Sequence, residues 1–283
     1  MAPDRERLRL FAAVLLVLAA ALVVASSIVE ATLVQLAPVY MFTPIVAGLV
    51  VCLRHGVSLS SVGLRAGRPR WLGIALLASL PMVALTLALS LLAPGVSFDP
   101  TADPLPGFAV PDGVVGLFVT LGLVLAVGAT VNAVFAFGEE FGWRGYLLWE
   151  LAPLGFWKAS IAVGVVWGLW HSPIILAGYN YPSFPVVGVA LMTLACVAFS
   201  PLYTYLVVRA ESLLAAAFLH GVFNGSAGIV LVYAIADDPA LRELVASPVG
   251  VAGIAAFALV AAGLHYAGVP ALDRQFATAR RDG

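Results

Sequence analysis

Residues 113–137 read GVVGLFVTLGLVLAVGATVNAVFAF, and this run contains no charged side chain. About 20 apolar residues are enough for a helix to cross the hydrocarbon core of a bilayer, so the stretch is predicted to form a transmembrane helix. The rest of the chain has the same character, since 62% of its 283 residues are hydrophobic and 10% are charged. Soluble domains carry about 25% charged residues. This composition excludes a soluble globular protein.

Seven further apolar runs of similar length accompany this one, at residues 9–28, 33–53, 71–93, 157–178, 184–208, 212–235 and 249–268. Together the runs predict an all-α polytopic membrane protein with eight transmembrane helices packed in one bundle. The longest connection, 94–112, is rich in proline and glycine and is predicted to be an irregular outer loop. Cys52 and Cys196 lie in apolar runs and are predicted to be core residues.

The distribution of basic residues predicts the orientation of this bundle. Short loops on the cytoplasmic side of a membrane accumulate Lys and Arg. If the N-terminus is cytoplasmic and all eight runs cross, only Arg242 of the 14 basic residues falls outside. The cytoplasmic set is then Arg5, Arg7, Arg9, Arg54, Arg65, Arg68, Arg70, Arg144, Lys158, Arg209, Arg274, Arg280 and Arg281. The outer loops instead hold the acids Glu30, Asp99, Asp103, Asp112, Asp237 and Asp238. Both termini are therefore predicted to be cytoplasmic.

A few polar residues interrupt the apolar runs. They are Glu139, Glu140 and Arg144 in FAFGEEFGWRGYLL, His171 in WGLWHSP, and His220 and Asn224 in FLHGVFN. Ionisable groups inside a membrane are costly, and each is therefore a candidate functional residue. With a rise of about 1.5 Å per residue, the three motifs lie roughly 14–20 Å from Glu150, Lys158 and Glu211, which we take as markers of the cytoplasmic surface. Three helices are thus predicted to bring polar groups to one layer of the membrane.

The predicted helix that carries Glu139 and Glu140 is longer than the bilayer core is thick. A helix running from 113 to 150 would be about 57 Å long, whereas the hydrocarbon core is about 30 Å thick. It is therefore predicted to tilt steeply or to break, with the break points at Gly138, Gly142 or Gly145.

Helix geometry also predicts which of these side chains can meet. Three pairs are four residues apart and share a helix face: Glu140 with Arg144, Trp167 with His171, and His220 with Asn224. Glu139 points about 100° away from Glu140 in a regular helix, which leaves it free to meet another group. Taken singly, each feature has a structural interpretation, as a buried ion pair, a core histidine or an interhelical asparagine. Taken together at one depth in the membrane, these features indicate a functional site.

These motifs resemble those of the CPBP family of intramembrane proteases, whose relatives include the eukaryotic type II CAAX prenyl protease and bacteriocin-processing and immunity proteins. The family pattern is EExxxR, FxxxH and HxxxN. It corresponds here to Glu139-Glu140-x-x-x-Arg144, Trp167-x-x-x-His171 and His220-x-x-x-Asn224. Trp167 replaces the usual Phe, which we expect to affect packing and not chemistry. The resemblance divides the chain into three N-terminal spans (1–112), a catalytic core (113–235) and a last span with a cytoplasmic tail (236–283).

The resemblance implies hydrolysis of peptide bonds at the membrane. In the implied mechanism Glu139 is the general base for a water molecule that His171 orients, and His220 and Asn224 stabilise the oxyanion. Glu140 and Arg144 support the helix that presents Glu139, and Trp167 forms a wall of the site. No metal is required in this interpretation, and the substrate is a peptide or a lipidated protein at the membrane. No feature predicts binding of nucleic acid.

Three alternatives stay open at this stage. A zinc-dependent protease would use Glu139, His171 and His220 as ligands. A transporter would use the intramembrane acid and histidines to relay protons, although the chain shows no paired halves. A non-catalytic protein, as in bacteriocin immunity, would only bind a peptide. In each case the chain is predicted to be an integral protein of a prokaryotic plasma membrane.

Overall fold

Eight helices long and apolar enough to cross a membrane lie within residues 2–103, 110–111 and 113–276, the part of the chain that the computed structural model describes. They are α1 (Arg5–Ile28), α2 (Ala37–His55), α3 (Pro69–Ser90), α4 (Gly113–Leu154), α5 (Phe156–Leu176), α6 (Pro185–Ala210), α7 (Leu214–Tyr233) and α8 (Pro239–Ala267). The predicted fold class is confirmed, and the chain is an integral membrane protein. The predicted loop acid Asp112 and the tail residues Arg280 and Arg281 lie outside the described residues.

Several of these helices combine segments of different geometry. The short breaks divide α2 into Ala37–Tyr40 and Thr43–His55, α5 into Phe156–Trp170 and Ser172–Leu176, and α7 into Leu214–Ser226 and Gly228–Tyr233. Helix α8 comprises Pro239–Leu241, a π-helical turn Arg242–Ala246 and Val251–Ala267. The ends of six predicted spans agree with the structure within four residues. The runs 113–137 and 249–268 are shorter than the corresponding helices α4 and α8.

Helix α4 does not break at the glycines predicted as break points and instead changes its winding, while the alternative of a steep tilt stays a prediction. It comprises Gly113–Val127, π-helical Gly128–Asn132, Ala133–Glu140, π-helical Phe141–Leu147, Leu148–Leu151 and the 3-10 turn Ala152–Leu154. Its last turns are covered by protein, since Leu148, Trp149 and Leu151 are buried, so the helix can exceed the bilayer core. Gly142 serves close packing here, because a Cβ at this position would lie 2.4 Å from the Cβ of Pro44 in α2.

One end of the bundle gathers the first and the last described segments of the chain, and we call it the terminal end. There the Arg7 Nε lies 3.0 Å from the Glu150 Oε2, and the Arg274 Nη2 lies 2.6 Å from the Glu150 Oε1. The connection between α2 and α3 joins the same end, since the Arg68 Nη2 lies 2.6 Å from Oε1 of Glu211, which follows α6. If all eight helices cross the membrane, the two ends of the chain lie on one side of it. Their cytoplasmic location stays a prediction.

Glu150 is buried rather than a marker of an exposed surface, contrary to the prediction. Its side chain is 0% exposed. The backbone N–H of Asp4 donates to its Oε1 over 2.7 Å, and Arg7 and Arg274 both pair with it. The two arginines also lie 5.2 and 4.8 Å from the centroid of the Trp149 ring. Segments from both termini therefore fold over this carboxylate and neutralise it.

The opposite end of the bundle, which we call the loop end, carries a small sheet. Strand β1 (Val96–Phe98) pairs antiparallel with β2 (Ala234–Ala236), with Ser97 opposite Ile235. The sequence predicted only an irregular loop over 94–112, so this strand is a correction, while residues 104–109 and 112 lie outside the described residues. The Ser183 Oγ also donates to Glu243 over 2.8 Å, which ties the α5–α6 connection to α8.

Small residues bring together the helices that carry the polar motifs. In α5, a Cβ at Gly168 would lie 2.4 Å from the Cα of Thr193 in α6, and one at Gly164 would lie 2.7 Å from the Cα of Val197. In α4, a Cβ at Gly128 would lie 2.6 Å from the Cα of Val222 in α7. Such close backbone approach stabilises helix pairs in lipid, where burial of apolar surface supplies no driving force. It also fixes the distances between polar side chains on neighbouring helices.

Candidate active site

A cavity of about 110 Å³ lies between α2, α4, α5, α6 and α7. The four residues predicted to be catalytic, Glu139, His171, His220 and Asn224, all line it. Each water molecule occupies about 30 Å³ in the liquid, so the cavity has room for water beside these groups. The structure thus brings together side chains from three helices, as the matching depths of the motifs predicted.

Glu139 lies deep in this cavity and is only 3% exposed. The indole N–H of Trp167 donates to its Oε2 over 2.7 Å. This contact corrects the expectation that replacing Phe by Trp at position 167 affects only packing, because a phenyl ring has no such donor. One carboxylate oxygen is therefore held by α5, and this fixes the direction in which the carboxylate presents its other lone pairs.

His171 follows directly after the segment Phe156–Trp170 of α5, where the chain turns into Ser172–Leu176. Its Nδ1 lies 2.8 Å from the carbonyl oxygen of Trp167. Because a carbonyl oxygen only accepts, Nδ1 carries the proton in this contact, and Nε2 of the neutral ring is then an acceptor. The two rings of Trp167 and His171 lie 5.9 Å apart, which confirms that they share a face of the helix.

His220 is held by Glu140, a contact that the sequence analysis missed. The His220 Nδ1 lies 2.8 Å from the Glu140 Oε1, across the interface between α7 and α4. An ionised carboxylate only accepts hydrogen bonds, so Nδ1–H is the donor and Nε2 is left for the cavity. No spacing in the sequence indicates this contact, because the two residues lie 80 positions apart on different helices.

The predicted pair of Glu140 and Arg144 is present. The Arg144 Nη1 donates to both oxygens of Glu140 over 3.1 and 3.2 Å, and neither side chain is exposed. The Arg144 Nη2 donates to the Ser200 Oγ over 2.9 Å. The guanidinium carbon also packs against two neighbouring rings, 4.2 Å from the centroid of Trp167 and 4.4 Å from that of Tyr203. Arg144 therefore connects the helix of Glu139 with α5 and α6.

Asn224 lies one helical turn beyond His220 and lines the same cavity, as its spacing predicted. Unlike His220, which is buried, Asn224 is exposed. Tyr179 and Asn180, from the connection between α5 and α6, line the same cavity, and Tyr179 is also exposed. Asn224 thus belongs to the mouth of the cavity, while Glu139 lies at depth.

The three ligands of the zinc alternative are not arranged around one point. Within the described residues, no group of three or more His, Cys, Asp or Glu side chains is placed to hold a metal ion. In this arrangement the residues do not fit a zinc site, and no step of the proposed reaction involves a metal ion.

Replacing Trp167 by Phe should lower kcat about 10- to 100-fold with little change in KM. A hydrogen bond to a charged group contributes about 1.5–3 kcal/mol, and each 1.4 kcal/mol changes a rate about tenfold. Trp170→Phe is the matched control, because the Trp170 indole donates to the Thr43 Oγ1 over 3.0 Å in the same cavity wall. Equal losses of kcat and of thermal stability in both variants would show that Trp167 only fills space.

Comparison with known proteins supports the resemblance seen in the motifs. Residues 116–226 match the family described as "Type II CAAX prenyl endopeptidase Rce1-like", and all the residues of the three motifs fall within this range. A 44-residue segment is 46% identical to a protein named CAAX prenyl protease 2 from Methanococcus maripaludis. The segment spans 15% of this chain and 16% of that relative. The resemblance to this protease family, predicted from three short motifs, is confirmed over that region.

Proposed function

We propose that this chain is an intramembrane endopeptidase that hydrolyses peptide bonds of membrane-associated substrates in a prokaryotic plasma membrane. One observation carries the proposal: a carboxylate, two imidazoles and an amide line a single cavity of about 110 Å³ between apolar helices. Attack of water on an amide carbonyl needs a base, a group that orients the water and hydrogen-bond donors for the developing oxyanion. These four side chains can supply all of them.

In the proposed first step Glu139 removes a proton from a water molecule. The Nε2 of His171 orients this water, because its Nδ1 is already engaged with the carbonyl oxygen of Trp167. The water oxygen forms a bond to the carbonyl carbon of the substrate, and the carbonyl oxygen becomes an oxyanion. His220, in its protonated form, donates from Nε2 to this oxyanion while its Nδ1–H donates to Glu140. The amide of Asn224 is the second donor.

In the second step the tetrahedral intermediate collapses and the C–N bond breaks. The proton held by Glu139 passes to the leaving amine, so the carboxylate is regenerated and no other reactant is consumed. Trp167 and the ion pair of Glu140 with Arg144 take no part in the bond changes. They keep Glu139 and His220 in position, because Trp167 bonds to Glu139 and Glu140 bonds to His220. The proposed mechanism needs no metal ion.

A comparison of peptide termini in membranes tests this function and does not require the substrate to be identified beforehand. Membranes from cells that express the wild-type chain should contain new N-termini and C-termini within or beside transmembrane segments. These termini should be lost in cells that express Glu139→Ala to the same level. Identical sets of termini from the two strains would contradict the proposal.

A further inference from the structure

Helix α5 is interrupted at His171, and side chains hold the end of its first segment. Pro173 has no N–H and cannot donate to the carbonyl oxygen of Leu169, four residues earlier. The Ser172 Oγ donates to that oxygen instead, over 2.6 Å, and the His171 Nδ1 bonds to the carbonyl oxygen of Trp167. The position of His171 therefore depends on side-chain contacts and not only on backbone hydrogen bonds of a continuous helix.

Tyr40 of α2 adds a contact to this point from another helix. Its Oη donates to the carbonyl oxygen of Trp170 over 2.7 Å, and this carbonyl belongs to the peptide group that joins Trp170 to His171. Because a peptide group is planar, the bond fixes the plane from which the His171 side chain projects. The rings of Tyr40 and Trp170 also stack with centroids 4.5 Å apart. Tyr40 is only 1% exposed, so bulk water does not compete for the bond.

The same turn of α2 contacts the helix that carries Glu139. A Cβ at Gly138, directly before Glu139, would lie 3.0 Å from the carbonyl oxygen of Met41 and 2.8 Å from the Cδ1 of Phe42. The backbones of α2 and α4 therefore approach closely at this position. Tyr40 and Met41 also line the active-site cavity. One turn of α2 thus touches the residue before Glu139 and the residue before His171.

We propose that Tyr40 is a positioning residue, whose hydroxyl sets the place of His171 relative to Glu139. The consequence for catalysis rests on the proposed function, in which His171 orients the water that Glu139 deprotonates. These two groups lie on different helices, and a misplacement of about 1 Å can cost about 100-fold in rate. Tyr40 lies outside residues 116–226, the range that matches the protease family, and outside the three motifs, so no motif indicates this role.

Tyr40→Phe tests the role of the hydroxyl, because it keeps the ring that stacks on Trp170 and removes only the donor. The kcat should fall about 10- to 100-fold. The KM should change little, since His171 acts on the water and not on binding of the peptide. A fluorogenic peptide built around a cleavage site from the membrane comparison measures both constants. Replacement of Tyr40 by para-aminophenylalanine keeps a donor on the ring and should restore most of the kcat.

Tyr181→Phe is the matched control, because it removes the same kind of bond at another place. The Tyr181 Oη donates to the carbonyl oxygen of Val249 over 2.6 Å, and Tyr181 is 0% exposed. Tyr181 is not among the described residues that line the cavity. Both variants should lose a similar amount of thermal stability, since each leaves a carbonyl without its phenol donor. Only Tyr40→Phe should lose kcat, and equal kcat values for the two variants would overturn the inference.

Nitrogen NMR of the histidine side chains in the purified chain tests the contact without any substrate. The His171 signal, assigned by its loss in His171→Gln, should shift or split in Tyr40→Phe and stay unchanged in Tyr181→Phe. An unchanged His171 signal in Tyr40→Phe overturns the inference even if kcat falls, and a changed signal with wild-type kcat overturns it as well. If the wild-type chain cleaves no peptide, the protease function fails, and the histidine spectra alone decide whether Tyr40 holds His171.

Discussion

Glu139→Gln should lower kcat about 10²–10⁴-fold, the range that loss of a general base typically costs. The amide has nearly the same shape as the carboxylate and still offers an oxygen to the indole N–H of Trp167, which now donates to Oε2. It cannot take a proton from water. Steady-state hydrolysis of a peptide by the purified chain in lipid vesicles measures the change, and thermal unfolding should show that the variant is folded.

Glu30→Gln is the matched control for this variant, since Glu30 is exposed at the loop end and does not line the cavity. It should keep the wild-type kcat. If exhaustive chelation abolishes activity and zinc restores it, the zinc-dependent protease replaces the glutamate–water mechanism. If Glu139→Gln hydrolyses peptide at nearly the wild-type rate, both protease mechanisms fail, and the transport and peptide-binding alternatives become the better explanations.

Contacts between residues four apart in one helix could be predicted from the sequence, because such residues lie about one helical turn apart. The pair of Glu140 and Arg144 and the shared face of Trp167 and His171 are both present in the structure. Contacts between helices could not be predicted in this way. The bond from His220 to Glu140 depends on how α7 is rotated against α4, and spacing along one chain segment carries no information about that rotation.

The π-helical segment Phe141–Leu147 shows why even the geometry of α4 escaped the sequence analysis. It begins directly after Glu140, so residues beyond that point do not follow the regular angle of about 100° per residue. The glycines at 138, 142 and 145 were predicted to be the break points if the helix did not tilt steeply. In the structure the first two allow close approach of α2, where Met41, Phe42 and Pro44 lie against them. Composition cannot distinguish a flexible glycine from a packing glycine.

The burial of Glu150 could not be predicted from the sequence either. An acid after a long apolar run is typical of the membrane surface, and this was the interpretation from sequence. Its burial depends on Arg7 and Arg274, which lie 143 and 124 positions away in the chain. The eight spans could be predicted because each depends only on its own composition, whereas the environment of a single charge depends on the whole bundle.

Arg144→Ala should destabilise the protein by about 3–5 kcal/mol, because removal of one partner from a buried ion pair leaves the other charge uncompensated. Arg144 is 0% exposed, and it is paired with Glu140 and bonded to Ser200. Activity should fall as well, since Glu140 also holds His220. Unfolding of the purified chain in detergent measures the loss. Arg209→Ala is the matched control, because Arg209 lies 5.3 and 5.2 Å from the rings of Trp71 and Tyr205, and its loss should cost less.

A double variant separates the structural role of Arg144 from a chemical one. In Glu140→Gln with Arg144→Ala no unpaired charge is left in the buried pair, so the double variant should be less destabilised than the sum of the two single changes. Arg144→Lys should restore only part of the stability, because the ammonium group cannot reach Glu140 and Ser200 with two separate nitrogens as the guanidinium does. If Arg144→Ala instead keeps wild-type stability but has no activity, Arg144 takes part in the reaction, beside the oxyanion. Its guanidinium already contacts the ring of Trp167, which bonds to Glu139.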